Sequence, residues 1–361
     1  MRIAYYHQWR YGASTGVFKK IVSQANHWAS SGAEVAMFNL SAVNTAAEWQ
    51  AVLDPQVHFE QVVWQRGKRI QQLTQIGQSV RRLLAWQPDM VYQRYSFYHP
   101  AFEPVFRRVP LVLEINSDDL NEARLHSLFR YWLVRLTRSR LLGQASGLVS
   151  VSREIIEGPH FSRFQSPAIV IANGIDLREY PLLPPPNNAI PHLVYMGSVM
   201  HPWGGADKVI WLAKQLPQWR FDLIGAAPAD FAEPLPDNVI AHGELTRSEY
   251  QPIMEKADIA VGTLALHRKG MAETSALKVA EYMAYGLPTI IGYQDTNFLN
   301  GAEFILELPN APDNVERSLP LIQQFVTAWM GKRVPHQQIV HVDSAEKEKQ
   351  RLAFFEQILS V

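Results

Sequence analysis

Residues Gly270–Gly292 read GMAETSALKVAEYMAYGLPTIIG, and their pattern sets the class of fold. An apolar-periodic stretch carrying Ser275, Leu277, Val279, Tyr282 and Met283 begins near Thr274 and stops before Gly286-Leu287-Pro288. Glycine past the last periodic residue and proline soon after are helix-stop signals, because glycine takes the left-handed conformation and proline cannot continue the ladder. The apolar run Thr289–Gly292 is too short for a helix and reads as a buried strand. A helix passing by a tight turn into a buried strand is a piece of an α/β fold. Thr274 or Ser275 is expected to cap the helix start, leaving backbone N–H groups for an anion. Glu273 and Glu281 are eight steps apart. At about 100° per residue that leaves them about 80° out of phase, so spacing alone does not put both on one face. Carboxylates accept hydrogen bonds from sugar and ribose hydroxyls, and Lys278 between them is a point cation suited to phosphate. On these residues alone, a surface Glu273 and a solvated Glu281 are the simpler account.

Upstream, Arg2–Tyr6 reads as a buried strand, Val17–Ser30 as a helix with Val17, Ile21, Ala25 and Trp28 on one face, and Glu34–Leu40 as the next strand. The loop between holds Gly12 and Gly16 but not the G-x-G-x-x-G dinucleotide fingerprint; its glycines serve either a turn or a close approach to ligand. Further strands are expected at Met90–Tyr95, Leu111–Ile115, Gly147–Val151 and Ile169–Ile171, with helices at Lys68–Trp86 and Glu122–Gly143. Strands alternating with helices predict a mostly parallel sheet. At Pro181–Asn188, PLLPPPNN, four prolines in six residues exclude an element interior and predict a linker. A second βα pattern follows, with strands at His192–Met196, Phe221–Ile224, Val239–His242, Ile259–Thr263, Thr289–Gly292 and Phe304–Leu306, a helix at Ala206–Gln215, and a charged amphipathic helix at Ser344–Leu359. The expected division is residues 1–180, a linker at 181–191, a second domain at 192–343, and a terminal helix at 344–361. With 361 residues, two domains are also what length favours, since single cores seldom grow beyond about 250–300 residues.

The segment around Glu273 resembles the donor-site motif of retaining glycosyltransferases of family 4, whose hallmark is Glu, seven residues, Glu, then Gly-x-Pro and a strand. Here it stands as Glu273, TSALKVA, Glu281, then YMAYGLPTI. Other segments match in order: Ile171-Ala-Asn-Gly-Ile-Asp176, Tyr195-Met-Gly-Ser198, Ile240-Ala-His-Gly-Glu244, Val149-Ser-Val-Ser152, and Tyr92-Gln-Arg-Tyr-Ser96 with Glu114-Ile-Asn116, which resemble polysaccharide-biosynthesis members. The resemblance implies a GT-B fold, two Rossmann-like domains facing a cleft, with an N-terminal acceptor domain and a C-terminal nucleotide-sugar domain. It implies transfer of a sugar from a nucleotide-diphosphate sugar to a saccharide or lipid-linked saccharide, without metal or other cofactor. Glu273 would contact the donor sugar and Glu281 the ribose, with Thr274, Ser275, Ala276, Leu277, Gly197, Ser198, His242 and Gly243 completing the donor site. The family's R-x-x-x-K-G diphosphate element is absent from GSVMHPWGGADK, residues 197–208, so Lys278, Arg268 and Lys269 are the candidate cations. Glu273 and Lys278 are the expected catalytic residues, with no covalent nucleophile. A noncatalytic nucleotide-sugar-binding partner subunit and a nucleotide-sugar epimerase stand as alternatives.

His7, Gly12, Gly16, Arg94, Glu114 and Asn116 are the candidate acceptor residues; Arg94 and Glu114 also fit a structural ion pair. Zero cysteines exclude disulfides and thiolate chemistry. Formal net charge is zero, yet residues 66–140 hold 13 basic and 6 acidic side chains. Within them, RLHSLFRYWLVRLTRSR at Arg124–Arg140 reads as a helix packed on the sheet or as a peripheral membrane contact. No nucleic-acid partner is expected. No long apolar leader or span is seen, so the expected location is cytoplasmic, with peripheral contact at the inner face of the membrane.

Overall fold

Arg2–His7 (β1) has the sequence RIAYYH, and Ile3, Ala4, Tyr5 and Tyr6 are all fully buried. A strand covered on both faces needs a continuous apolar run rather than alternation, which is the mark of a parallel sheet flanked by helices. Glu34–Ser41 (β2), His58–Val63 (β3), Met90–Arg94 (β4), Leu111–Ile115 (β5), Gly147–Ser150 (β6) and Ala168–Val170 (β7) complete it. The computed structural model describes residues 1–10, 12, 15–65 and 69–360, without the side chains of 69–70 and 125–126. It divides into two compact units, Met1–Ala172 with Ser344–Val361, and Asn173–Asp343.

The first unit is a seven-stranded parallel sheet in the order β3-β2-β1-β4-β5-β6-β7. Ile3 stands between Val35 and Met90 in register. The chain reverses direction across the sheet between β1 and β4, the topological switch point at which open α/β sheets bind ligands. The terminal helix Ser344–Leu359 belongs to this unit. Its Phe355 ring lies 5.5 Å from Trp28 and 5.3 Å from Tyr92, and Trp28 Nε1 donates to Glu348 at 2.7 Å.

The second unit is a six-stranded parallel sheet in the order β10-β9-β8-β11-β13-β15, formed by His192–Met196 (β8), Arg220–Ile224 (β9), Val239–Ala241 (β10), Ile259–Val261 (β11), Thr289–Ile291 (β13) and Ile305–Glu307 (β15). Its switch point falls between β8 and β11. Glu273–Thr274 (β12) and Gln294–Asp295 (β14) form a separate two-stranded parallel piece. The architecture is two Rossmann-like domains, as expected. No described helix is long and apolar enough to cross a membrane.

Three expectations need correction. The proline-rich segment is not a free linker: the chain divides between Ala172 and Asn173, and residues 173–191 are held on the second unit. Leu183 N–H donates to Tyr285 O at 3.3 Å. The Arg247 guanidinium lies 3.7 Å over the Tyr180 ring, and Asn188 Nδ2 donates to Asp258 Oδ2 at 2.8 Å. The helix expected over Glu122–Gly143 is two helices, Asp119–His126 and Leu128–Leu142. Ser127 breaks it by taking an extended conformation and accepting from Arg130 N–H as an N-cap. The helix after Glu273 starts at Leu277, because Glu273 and Thr274 are drawn into pairing with Gln294 and Asp295. The expected Lys68–Trp86 helix runs Arg69–Ala85, and Lys68 lies outside the described residues.

Candidate functional site

In the second unit the glycine-bearing loops collect at the carboxyl ends of neighbouring strands. Gly197 follows β8 and its N–H donates to Ile224 O at 2.8 Å; Gly225 follows β9 and donates to Gly243 O at 2.7 Å. Gly225 and Gly243 sit at φ +87° and +72°, where a side chain would strain the backbone. Gly197 has no room for a Cβ, which would stand 2.6 Å from the Tyr195 hydroxyl. Ser198 closes the β8 turn by accepting from Met200 N–H at 3.2 Å. His242 Nε2 stands 2.8 Å from Asp222 Oδ1, so the ring is fixed by a buried carboxylate on β9.

Helix Leu277–Ala284 ties the two strands of the switch point together. Tyr282 Oη accepts from Met196 N–H at the end of β8 at 2.7 Å and donates to Val261 O at the end of β11 at 3.3 Å. One turn earlier, Lys278 Nζ donates to Met196 O at 3.0 Å and lies 4.4 Å over the Tyr195 ring. Among the described residues no carboxylate forms an ion pair with Lys278. Burial pushes its ammonium down to about 7, because a desolvated cation without a counter-charge releases its proton readily. The first N–H groups of this helix have no side-chain cap, Ala276 being the N-cap residue.

Ser275 is buried and does not cap the helix, contrary to the sequence expectation. Its hydroxyl accepts from Asn173 N–H at 2.9 Å and Asn297 Nδ2 at 3.2 Å, and its carbonyl from Asn173 Nδ2 at 2.6 Å. The loop Thr274-Ser275-Ala276 is thereby clamped by two asparagines. Glu273 is buried, and its carboxylate accepts from the Thr296 hydroxyl at 2.9 Å. Glu281 is half-buried and accepts from the Tyr250 hydroxyl. Burial, then the Glu281 charge, push that phenol well above its ordinary range, so it stays a donor.

The other candidate cations are differently placed. Arg268 makes a two-point pair with Asp207 at 2.8 and 2.7 Å, which neutralises it. Lys269 Nζ lies 5.3 Å over the Trp203 ring. Lys208, on helix Ala206–Gln215, is buried with its ammonium on Asn314 Oδ1 at 2.8 Å and the Pro312 carbonyl. Sequence reasoning missed Tyr250, Thr296 and Asp222, whose partners are distant in the chain.

In the first unit, Arg94, Glu114 and Asn116 do come together at the ends of β4 and β5, around Lys20, which no motif singled out. Lys20 Nζ donates to Glu114 Oε1 at 2.8 Å and to Asn116 Oδ1 at 2.9 Å. Two arginines also reach Glu114: Arg94 at 3.3 Å and Arg351 at 3.9 Å. Glu114 is 1% exposed. Burial raises its proton affinity, but Lys20, Arg94 and Arg351 together outweigh it and hold the carboxyl well below the usual range. Glu114 is thus the anchor of a buried ion cluster, the structural reading of the Arg94–Glu114 pair.

Glu114→Ala is expected to cost about 3–5 kcal/mol, because it strands buried cations. Urea unfolding of the variant checks this, with a clear fall in the midpoint expected. Since the folded carboxyl is the more acidic one, this stability is present above the unfolded pKa and fades as pH falls through the folded one.

His7 is fully buried 4.9 Å from the Trp49 ring, and burial, then Arg94, push its imidazole down to about 3. It is a neutral packing residue here. Gly16 opens helix Gly16–Ser30, and Gly12 O accepts from Thr15 N–H at 3.3 Å. Those contacts favour the turn reading for both glycines; Ala13 and Ser14 between them lie outside the described residues.

Residues 190–305 match the model of the family described as glycosyl transferases group 1. No curated protein matches the chain. Among solved structures the chain is similar to a sucrose-phosphate synthase from Thermosynechococcus elongatus, at 13% identity and TM-score 0.67, covering 99% of each chain. It is similar to the apo form of the lipopolysaccharide outer core galactosyltransferase WaaB, at 14% identity and TM-score 0.66, covering 99% of this chain and 100% of that one. It is also similar to Anabaena HepE in complex with UDP and glucose, at 14% identity and TM-score 0.58, covering 98% of this chain and 99% of that one. At these identities the likeness is one of fold. The chain has the two-domain GT-B architecture of glycosyltransferases, and residues 190–305 of its second unit match the glycosyl transferases group 1 model.

Proposed function

We propose that the chain transfers a sugar from a nucleotide-diphosphate sugar to a saccharide or lipid-linked saccharide, with retention at the anomeric carbon. The observation that carries this reading is the position of Lys278. It is a cation without a carboxylate partner among the described residues, held at the switch point beside uncapped helix N–H groups and the Gly197–Ser198 turn. That arrangement suits the diphosphate leaving group, on which negative charge grows as the glycosidic bond breaks. Glu273 receives the sugar hydroxyls and Glu281 the ribose, each carboxylate oriented by a neighbouring hydroxyl. His242 and Gly243 flank the base. UDP is the first donor base to try, since HepE was solved with UDP and glucose.

The chemistry asks for positioning more than for a nucleophile. The acceptor hydroxyl attacks from the face the diphosphate leaves, and the departing phosphate takes its proton. The first unit supplies the acceptor contacts, with Arg94 and Asn116 at the ends of its strands held by the Glu114 cluster; biosynthesis of a polysaccharide or glycoconjugate is the expected setting. Incubation with a panel of nucleotide sugars and saccharide acceptors, read by mass for glycosylated product and released nucleoside diphosphate, tests the proposal. One donor is expected to give product in the presence of acceptor. Tight nucleotide-sugar binding with no turnover across the panel would favour a noncatalytic binding subunit instead.

A further inference from the structure

The helix Leu128–Leu142 is apolar on two opposite faces. Val134, Arg138, Leu141 and Leu142 are buried, and Val134 packs with Leu120 and Ala123. On the other side Phe129 is 81% exposed, Leu136 77%, Leu128 68%, Trp132 55% and Leu133 47%. At about 100° per residue, Trp132, Leu136, Phe129 and Leu133 span about 100° of the helix circumference and so form one stripe. Single exposed apolar side chains are ordinary in soluble proteins, whereas a contiguous group of large ones marks an interaction surface. Phe97, also exposed, extends it, with the Arg130 guanidinium 4.9 Å over its ring.

The charge around the stripe says what covers it. The helix holds four arginines and no acidic residue. Arg138 is paired with Asp119 and Arg140 with Glu103. Arg130 and Arg135 form no ion pair among the described residues, and Arg135 lies 5.7 Å over the Trp132 ring at the edge of the stripe. On the flank of the same helix, Arg135, Arg138, Arg163 and His160 line a cavity of about 230 Å³. Arg163 makes a neutral bond there, to Ser139 Oγ at 3.1 Å. A second copy of the chain seated on this face would set one basic rim against another. An anionic bilayer satisfies both features: large apolar side chains enter the acyl boundary while guanidinium groups meet headgroup phosphates.

We propose that helix Leu128–Leu142 docks the first unit on an anionic lipid surface. Phe129, Trp132, Leu133 and Leu136 enter the interface, and Arg130, Arg135 and Arg163 engage lipid phosphate. The docking involves no nucleotide sugar, so it stands or falls independently of the transferase reading. Co-sedimentation of the full chain with vesicles tests it, using phosphatidylcholine alone and phosphatidylcholine mixed with phosphatidylglycerol. Binding to the anionic vesicles is expected to be about tenfold or more tighter than to the neutral ones, and to weaken with salt. Phe129→Glu with Leu136→Glu is expected to remove it. Arg135→Glu with Arg163→Glu is expected to remove the preference for phosphatidylglycerol. These positions are exposed or at the helix edge, so unchanged thermal unfolding distinguishes lost docking from lost fold. Failure of the unaltered chain to bind anionic vesicles, or equal binding by the Phe129/Leu136 variant, would overturn the proposal. So would sedimentation equilibrium without lipid that finds a dimer dissociated by that same variant, because the stripe would then be a self-association face.

Discussion

Glu273→Ala is expected to lower kcat/KM for sugar transfer by about 10²–10³-fold, the scale of losing one group aimed at the reacting centre. The carboxylate is placed for this by three things. Its backbone is fixed by pairing with Gln294 in the separate two-stranded piece. Its side chain is buried and oriented by Thr296. The following loop is clamped through Ser275 by Asn173 and Asn297. The substitution gives up the hydrogen bond from the Thr296 hydroxyl, about 1 kcal/mol net, a contribution small beside the stability of an ordinary domain, about 5–15 kcal/mol. A variant that unfolds near the temperature of the unaltered chain yet transfers sugar at a small fraction of its rate is the expected result. Thr296→Val keeps the carboxylate but removes its orienting donor, and a smaller loss is expected there. Steady-state rates for both variants check the pair; equal rates in all three proteins would remove Glu273 from the donor site.

The second large effect concerns Lys278 and pH. With its ammonium at about 7, the residue is half-neutral at pH 7. A bound diphosphate brings negative charge beside it and raises that value, so binding takes up a proton wherever the free protein has lost one. The sign follows: donor affinity is highest below pH 7 and falls as pH rises, by up to about tenfold per unit until the bound form also titrates. A nucleotide sugar is the right probe, because its diphosphate is a diester and stays ionised throughout. Lys278→Met is expected to weaken binding at pH 6 by about tenfold, the loss of one charge-assisted contact, and to flatten the pH profile. Calorimetry across pH 6–9 in buffers of different ionisation heat reads both the affinity and the proton uptake. A pH-independent affinity in the unaltered chain would mean that the diphosphate is held by backbone N–H groups alone.

Much of the architecture was legible because parallel strands covered on both faces need uninterrupted apolar sequence. Ile3–Tyr6, Leu111–Leu113 and Leu193–Tyr195 announce themselves for that reason. His58–Val63 did not, because it is the edge strand β3, partly exposed and carrying Glu60 and Gln61. The break at Ser127 was hidden because serine is neutral inside a helix and favourable as a cap, and only the fold decides between them. At the site, Glu273, Lys278 and Glu281 stood out from one short motif. Their partners did not: Asn173, Thr296 and Tyr250 come from other loops and helices, and nothing local marks Tyr250 as the donor to Glu281. Lys20 looked like any surface lysine on an amphipathic helix until β5 brought Glu114 beneath it. The distribution of cations was the least legible part, since Arg268 and Lys208 lose their availability only through Asp207 and Asn314.

The donor is expected to lie across the second unit's switch point, from Glu273 to Glu281. A crystal structure of the full chain with a nucleotide-diphosphate sugar, or with the nucleoside diphosphate and free sugar, tests it most directly. Sugar hydroxyls are expected within hydrogen-bond distance of Glu273, ribose hydroxyls on Glu281, and the diphosphate between Lys278, the N–H groups of Leu277 and Lys278, and the Gly197–Ser198 turn. A nucleotide bound elsewhere, or one in this unit with Glu273 and Lys278 both remote from sugar and phosphate, would contradict it.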